Sequence, residues 1–210
     1  MLPEVTDFCR LLLCRHPELS SEAQGRVIGA GAAALGRRGQ DTVLRWLRVC
    51  APMRIDAVFA ADVPQCADPA AAIAAQKGLE VATDERLRDQ DMGSWQGRTW
   101  DEVVSEDGDR VREFFSELGE RTAPGGESLG EAVERMLSWW HAIAPLLVGK
   151  TALVVAPGGL VAGYAAAMLG MRLSRSLSLS LPHGGVGVID VFANGARISA
   201  WNLLALDPAP

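Results

Sequence analysis

Residues 152–171, ALVVAPGGLVAGYAAAMLGM, run for 20 positions without a charged side chain. A stretch of that length matches the roughly 20 apolar residues needed to cross a bilayer. Pro157-Gly158-Gly159 divides it, with a short β-branched run before the break and an Ala-rich run after it. The segment therefore reads as strand, loop and buried helix, and a membrane span is rejected.

The same alternation extends along the chain. FCRLLLC (8–14) and IDAVFA (55–60) read as buried strands, and RRGQDTVLRWLRVC (37–50) between them carries apolar residues at helical spacing. An Ala-rich helix is expected from Gln65 to Lys77, followed by a short strand, LEVAT. Residues 84–126 are rich in charge, Gly and Trp and are expected to form loops and short helices over one face of the sheet. Ser128 with Glu131 has the spacing of a capping box, and Val133, Met136, Leu137 and Trp140 continue it as the apolar stripe of a long helix. TALVVA is the next strand and GLVAGYAAAML a buried helix. SLSLSL, GVGVIDVFA and ARISAWNL are expected as late strands, the last two joined by a turn at Asn194-Gly195. Alternating β and α units imply one α/β domain over residues 1–210, a three-layer α/β/α sandwich with a mostly parallel central sheet.

Composition narrows the partners. With 210 residues, 49% hydrophobic and 22% charged, the chain has the proportions of a soluble globular protein with one sizeable core. Its net charge of -6 supplies no global basic field for nucleic acid, so any anion must be held by a local cluster. Cys9, Cys14, Cys50 and Cys66 lack C-x-x-C spacing and read as buried free thiols, which suits a reducing cytoplasm. MLPEVTDFCR lacks a basic region followed by an apolar stretch, so no secretory signal is read there. The three histidines and four cysteines are too scattered for zinc, and no GxGxxG or Walker pattern occurs. No metal or cofactor is expected.

Loops that leave the carboxyl ends of strands in such a sheet collect ligand-binding residues. Three stand out: Arg15-His16, residues 61–66, and Pro157-Gly158-Gly159. Taken alone, Arg15-His16 reads as a polar pair at a strand end, Asp89 and Glu127 as ordinary charged loop residues, and His141, beside Trp139 and Trp140, as structural.

The segments together resemble the histidine phosphatase, or phosphoglycerate mutase-like, superfamily. LLLCRHPE is similar to that family's first strand and RHGE signature, and GRVIG and RRGQ to the segments that follow. RLRDQDMGSWQGRTWDEV, PGGES (124–128) and LVVAPGGLVAGYAAAMLG resemble three further family segments, in the family's order. The resemblance implies a histidine nucleophile that forms a phosphohistidine, cationic donors around the phosphoryl oxygens, and a carboxylic acid that protonates the leaving oxygen. Carried over by position, His16 is the nucleophile, Arg15 a phosphate donor and Asp89, in place of the usual glutamate, the acid. Gln65 stands at the position of a phosphate-binding arginine, Pro157 at that of the second histidine, and Pro17 at that of the RHG glycine. Gly158 follows Pro157 as a candidate backbone contact. LPHGGV (181–186) resembles a turn beside the phosphate in the mutase branch, so His183 and Gly184 are candidates to replace what Pro157 lacks; as a bland alternative, His183 is a simple loop histidine.

Two functions follow from this reading. One is an enzyme acting on a phosphorylated small molecule through His16, with a rebuilt or weakened phosphate pocket. The other is a pseudophosphatase that binds an anion or a protein without turnover. A small-molecule phosphate or other anion is the expected ligand, with no nucleic acid or membrane partner, and a homodimer is compatible with the sequence. All six of Arg15, His16, Gln65, Asp89, Pro157 and His183 are expected around one cleft.

Overall fold

The computed structural model describes residues 8–203. The reading of the first residues as lacking a secretory signal falls largely on positions 1–7, outside the described residues. Six strands form one sheet in the order β3-β2-β4-β1-β5-β6. They are β1 (Phe8–Arg15), β2 (Ala57–Ala60), β3 (Val81–Thr83), β4 (Thr151–Ala156), β5 (Val186–Phe192) and β6 (Gly195–Ala200). The first four in sheet order run parallel, while β5 lies antiparallel to β1 and β6 antiparallel to β5. The sheet is therefore mixed, with a parallel majority.

Parallel strands buried on both faces need continuous apolar runs, and Leu11, Leu12, Leu13 and Cys14 of β1 are all buried. Helices α1 (Arg37–Cys50) and α2 (Pro64–Lys77) pack together on one face, and α4 (Leu129–Ile143) and α5 (Gly158–Met168) on the other. Trp46 and Cys50 of α1 lie beside Leu12, Cys14 and Leu153 on the first face. On the second, Trp139 of α4 meets Phe59 edge-to-face with ring centroids 5.3 Å apart. Ser128 and Glu131 form the expected capping box at the start of α4. No helix among the described residues is long and apolar enough to cross a membrane; the uncharged 152–171 stretch divides at Pro157 into β4 and α5. All four cysteines are free and buried.

Two expectations are corrected. Residues 84–126 contain a long helix, α3 (Trp100–Ser116), opened by a capping box between Thr99 and Glu102 and broken in the middle by non-helical backbone at Asp107. Its run of acidic residues and the internal Gly108 hide a periodic apolar face formed by Val103, Val111 and Phe114. SLSLSL is not a strand: Leu173–Leu179 forms a 3-10 helix packed against α5. Strict alternation signals a strand only where a neighbouring strand supplies ladder partners, and the edges of this sheet are β3 and β6. The late hairpin forms, with its turn one position earlier at Ala193-Asn194 and Gly195 already in β6.

Candidate active site

The carboxyl ends of β1 and β4 lie side by side, with Arg15 opposite Ala156 in the parallel register. The backbone N–H of His16 donates to the carbonyl of Ala156 at 3.1 Å, so the ladder extends one residue past β1 and fixes where His16 leaves the sheet. Pro17 holds its predecessor in extended backbone and puts its own carbonyl 2.8 Å from His16 Nδ1. A carbonyl only accepts, so the proton sits on Nδ1 and the Nε2 lone pair is left without a protein partner. His16 is 7% exposed. Burial is the main cause that lowers its pKa to about 4, with lesser contributions from His183 and Arg15 opposed by the Pro17 hydrogen bond. The ring is therefore neutral at physiological pH.

Arg15 is placed with equal care. Its Nη1 donates to the carbonyl of Leu181 at 2.7 Å and its Nη2 to His183 Nε2 at 3.0 Å, while the buried Nε has no partner. The guanidinium lies over Gly158, where an added Cβ would come within 2.6 Å of the Arg15 Cδ and Nε atoms. Because Arg15 offers only hydrogens, His183 Nε2 must accept, which puts the His183 proton on Nδ1, 3.4 Å from the His16 carbonyl oxygen. The His16 and His183 rings are 5.1 Å apart. Burial and the neighbouring Arg15 charge lower the His183 pKa.

Asp89 completes the group. Its pKa is raised to about 6 because burial outweighs a hydrogen bond from the Gln90 N–H and the attraction of Arg15. Its Oδ1 would be 3.3 Å from a Cβ at Gly159, so the second glycine after Pro157 leaves room for the carboxyl. A support holds Asp89 in place. Arg135 of α4 donates to the carbonyls of Arg86 at 3.0 Å and Asp89 at 3.3 Å and pairs with the Glu127 carboxylate. Gln90 donates to the Glu127 carbonyl at 2.6 Å. The PGGES segment packs so closely on the 91–93 turn that Cβ atoms at Gly93 or Gly126 would lie 2.2 Å from facing carbonyl oxygens.

Arg15, His16, Asp89, Gly159 and His183 line one cavity of about 580 Å³, together with residues 23–29 of the GRVIG segment. Such a volume suits a small molecule. Pro157 lies at the same end of the sheet as His16 but is buried beneath the cavity as the residue preceding α5. Gln65 is a correction. Its side chain is turned to the 31–33 loop, donating to the Gly31 carbonyl at 2.8 Å and accepting from the Ala33 N–H at 3.0 Å, and it is not among the cavity-lining residues. Both ends of its amide are engaged in holding that loop, which turns the side chain away from the cavity. Gly184 is likewise displaced from its expected role, since its N–H is shared between the carbonyls of Arg15 and His16 at 3.2 Å each. Gly158 serves as the floor under Arg15. Arg135 and Ser176 were not singled out by the sequence. Ser176 is 1% exposed and lines the cavity, and its hydroxyl has no protein partner.

This geometry coincides with a family assignment. The model for the histidine phosphatase superfamily (branch 1) matches residues 11–204. The chain belongs to the histidine phosphatase superfamily. Among curated relatives of this superfamily member, a probable phosphoglycerate mutase from Cronobacter sakazakii is 25% identical over 192 residues, covering 91% of this chain and 89% of the relative. Among solved structures, the α-ribazole phosphatase from Shigella flexneri superimposes with a TM-score of 0.82 at 19% identity, covering 92% of this chain and 96% of that one. A mycobacterial glucosyl-3-phosphoglycerate phosphatase gives a TM-score of 0.80 at 22% identity, covering 92% and 98%. The phosphatase superfamily thus accounts for the order of β1, β4 and α5 and for the convergence of their loops on His16.

Proposed function

We propose that this protein is a phosphomonoesterase acting on a phosphorylated small molecule, with His16 as nucleophile and a weakened phosphate pocket. One observation carries the reading: a neutral imidazole with Nδ1 committed to Pro17 and Nε2 unpartnered among the described residues shares a cavity with a half-buried arginine and a carboxyl of raised pKa. The structural neighbours named as phosphatases of α-ribazole and glucosyl-3-phosphoglycerate support a phosphorylated small molecule as substrate class.

In the first step His16 Nε2 bonds to phosphorus as the ester P–O bond breaks, and protonated Asp89 gives its proton to the leaving oxygen. In the second, the Asp89 carboxylate takes a proton from water, whose oxygen attacks phosphorus as the P–N bond breaks. His16 returns neutral and Asp89 protonated. Arg15 stabilises the charge on the phosphoryl oxygens, its Nε and Nη2 being the donors nearest to release. His183 gives up its hold on Arg15 Nη2 when protonated and then becomes a second cationic donor.

Pro157 has no donor and Gln65 is turned away, so the pocket holds fewer charges than the family pattern implies. Loss of one preorganised donor costs about 10² to 10³ in rate. The same deficit favours the pseudophosphatase as a second reading. Steady-state assays over a panel of phosphorylated metabolites separate the two. We expect slow turnover that disappears in His16→Ala and is reduced, but not abolished, in His183→Ala. Robust activity that survives His16→Ala overturns the nucleophile assignment, and inactivity of the wild type accompanied by measurable phosphate binding establishes the pseudophosphatase.

A further inference from the structure

The cavity continues beyond the phosphoryl end into a wall of a different kind. Trp100 and the C-terminal half of α3 supply Trp100, Phe114 and Phe115, joined by Leu118 and, from the 3-10 helix after α5, Leu177. The aromatic rings pack into one another, with centroid distances of 5.6 Å for Trp100 and Phe115 and 5.2 Å for Phe114 and Phe115. Phe114 and Leu118 are buried, but Phe115 is 47% exposed and Leu177 56% exposed. Large apolar side chains gathered at the rim of a cavity leave water-exposed area that a ligand can cover.

The side chains of the wall carry no charge. The charged residues that line the cavity are Arg15, Glu18, Asp89 and Arg26. The first and third belong to the phosphoryl end, and Arg26 donates to the carbonyls of Glu22 at 3.1 Å and Gly97 at 2.9 Å. The wall itself, Trp100, Phe114, Phe115, Leu118 and Leu177, offers no charged partner to a second anionic group lying against it, although Arg26 at its edge keeps its charge.

We infer that the substrate is the phosphomonoester of an apolar, preferably aromatic, alcohol whose hydrocarbon part lies on the wall of Trp100, Phe114, Phe115, Leu118 and Leu177 while its phosphoryl group faces Arg15 and His16. This rests on the phosphoryl reading of the site. It explains why two large apolar side chains remain exposed at this rim. It also places specificity in α3 and in the 3-10 helix, away from the catalytic groups.

Phosphonates test the inference without relying on turnover or on leaving-group reactivity, since neither probe can be hydrolysed. Calorimetry with 2-phenylethylphosphonate and ethylphosphonate compares two ligands that differ only in the phenyl group. Burying that ring is expected to tighten binding about tenfold or more. Phe115→Ala and Leu177→Ser, both at exposed positions where folding is retained, should each reduce the preference severalfold and leave ethylphosphonate binding unchanged. Equal affinity of the two phosphonates, or a preference untouched by both variants, overturns the inference. Failure of the phosphoryl reading looks different: Arg15→Ala would then leave both affinities unchanged and inorganic phosphate would not compete with either probe. Tighter binding of a carboxylated ligand such as 3-phosphoglycerate than of 2-phenylethylphosphonate would also count against the apolar wall.

Discussion

At the scale of single residues, the site depends on two titrations arranged in the productive order. His16 must be neutral to attack, which requires a pH above about 4, and Asp89 must carry its proton to act as acid, which requires a pH below about 6. The proposed phosphatase should therefore show a bell-shaped kcat/KM profile with its maximum between these limits. Protonation of His183, whose pKa is also lowered by burial and the Arg15 charge, would release Arg15. In Asp89→Asn the alkaline limb should vanish and the rate should fall about 10² to 10⁴-fold. An alkaline limb that persists in that variant would assign it to another group. The shared cavity of His16, Arg15, Asp89 and His183 was legible only from the order of the resembling segments, since taken alone each reads as an ordinary polar or charged residue. Gln65 was placed wrongly for a physical reason: sequence position puts it in the first turn of α2, after β2, but does not show that the 31–33 loop will engage both ends of its amide. Arg135 escaped notice because its targets, the carbonyls of residues 85–89, lie more than 40 positions away.

At the scale of elements, the junction between β4 and α5 supplies room for catalytic groups rather than a catalytic side chain. Pro157 leaves the sheet in extended backbone, and Gly158 and Gly159 open α5 with no side chains, so Arg15 lies over one and Asp89 beside the other. Gly158→Ala adds a methyl 2.6 Å from the Arg15 side chain, in a backbone conformation that alanine accepts, so the arginine must move while the helix keeps or gains propensity. The expected result is an unchanged melting temperature with phosphate affinity reduced about tenfold, the size of one displaced charge-assisted hydrogen bond. Unchanged affinity would show that Arg15 does not anchor the anion. β1 and β4 were readable from their continuous apolar runs, α1 from its apolar spacing, α4 from its capping box and apolar stripe, and α5 from the Ala-rich run after Pro157. α3 and the 3-10 helix were not, since a helix broken at Asp107 and an alternating Ser-Leu run take their form from the surface they cover. Those two elements also carry the apolar wall.

At the scale of the whole molecule, the acidic window favoured by the chemistry has to be survivable by the fold. Asp190 on β5 stands opposite Arg10 of β1 and Arg197 of β6 in the register, completely buried. Burial alone would raise its pKa, but hydrogen bonds from Arg10, Ser199 and Arg197 hold the carboxyl below the usual carboxylate range. A depressed folded pKa stabilises above the unfolded value of about 3.9 and is lost as pH falls below it. As pH falls below 6.5, the groups of the site act in opposite senses: His16 and His183, both held neutral, make folding less favourable, and Asp89, of raised pKa, makes it more favourable. These contributions partly offset, so stability should fall only gently across the catalytic window and more steeply below pH 4, where the unfolded Asp190 carboxyl takes up a proton that the folded cluster refuses. Asp190→Asn should remove part of that acid-dependent drop. At neutral pH it should cost about 2 kcal/mol, less than the 3 to 5 kcal/mol typical of breaking a fully buried pair because both arginines reach solvent. For a chain of this size that corresponds to a fall in melting temperature of about 4 to 8 °C. Denaturant titrations of wild type and variant at pH 3, 5 and 7 check both parts, and a gap between the two proteins that fails to narrow at pH 3 would show that Asp190 contributes by packing rather than by charge.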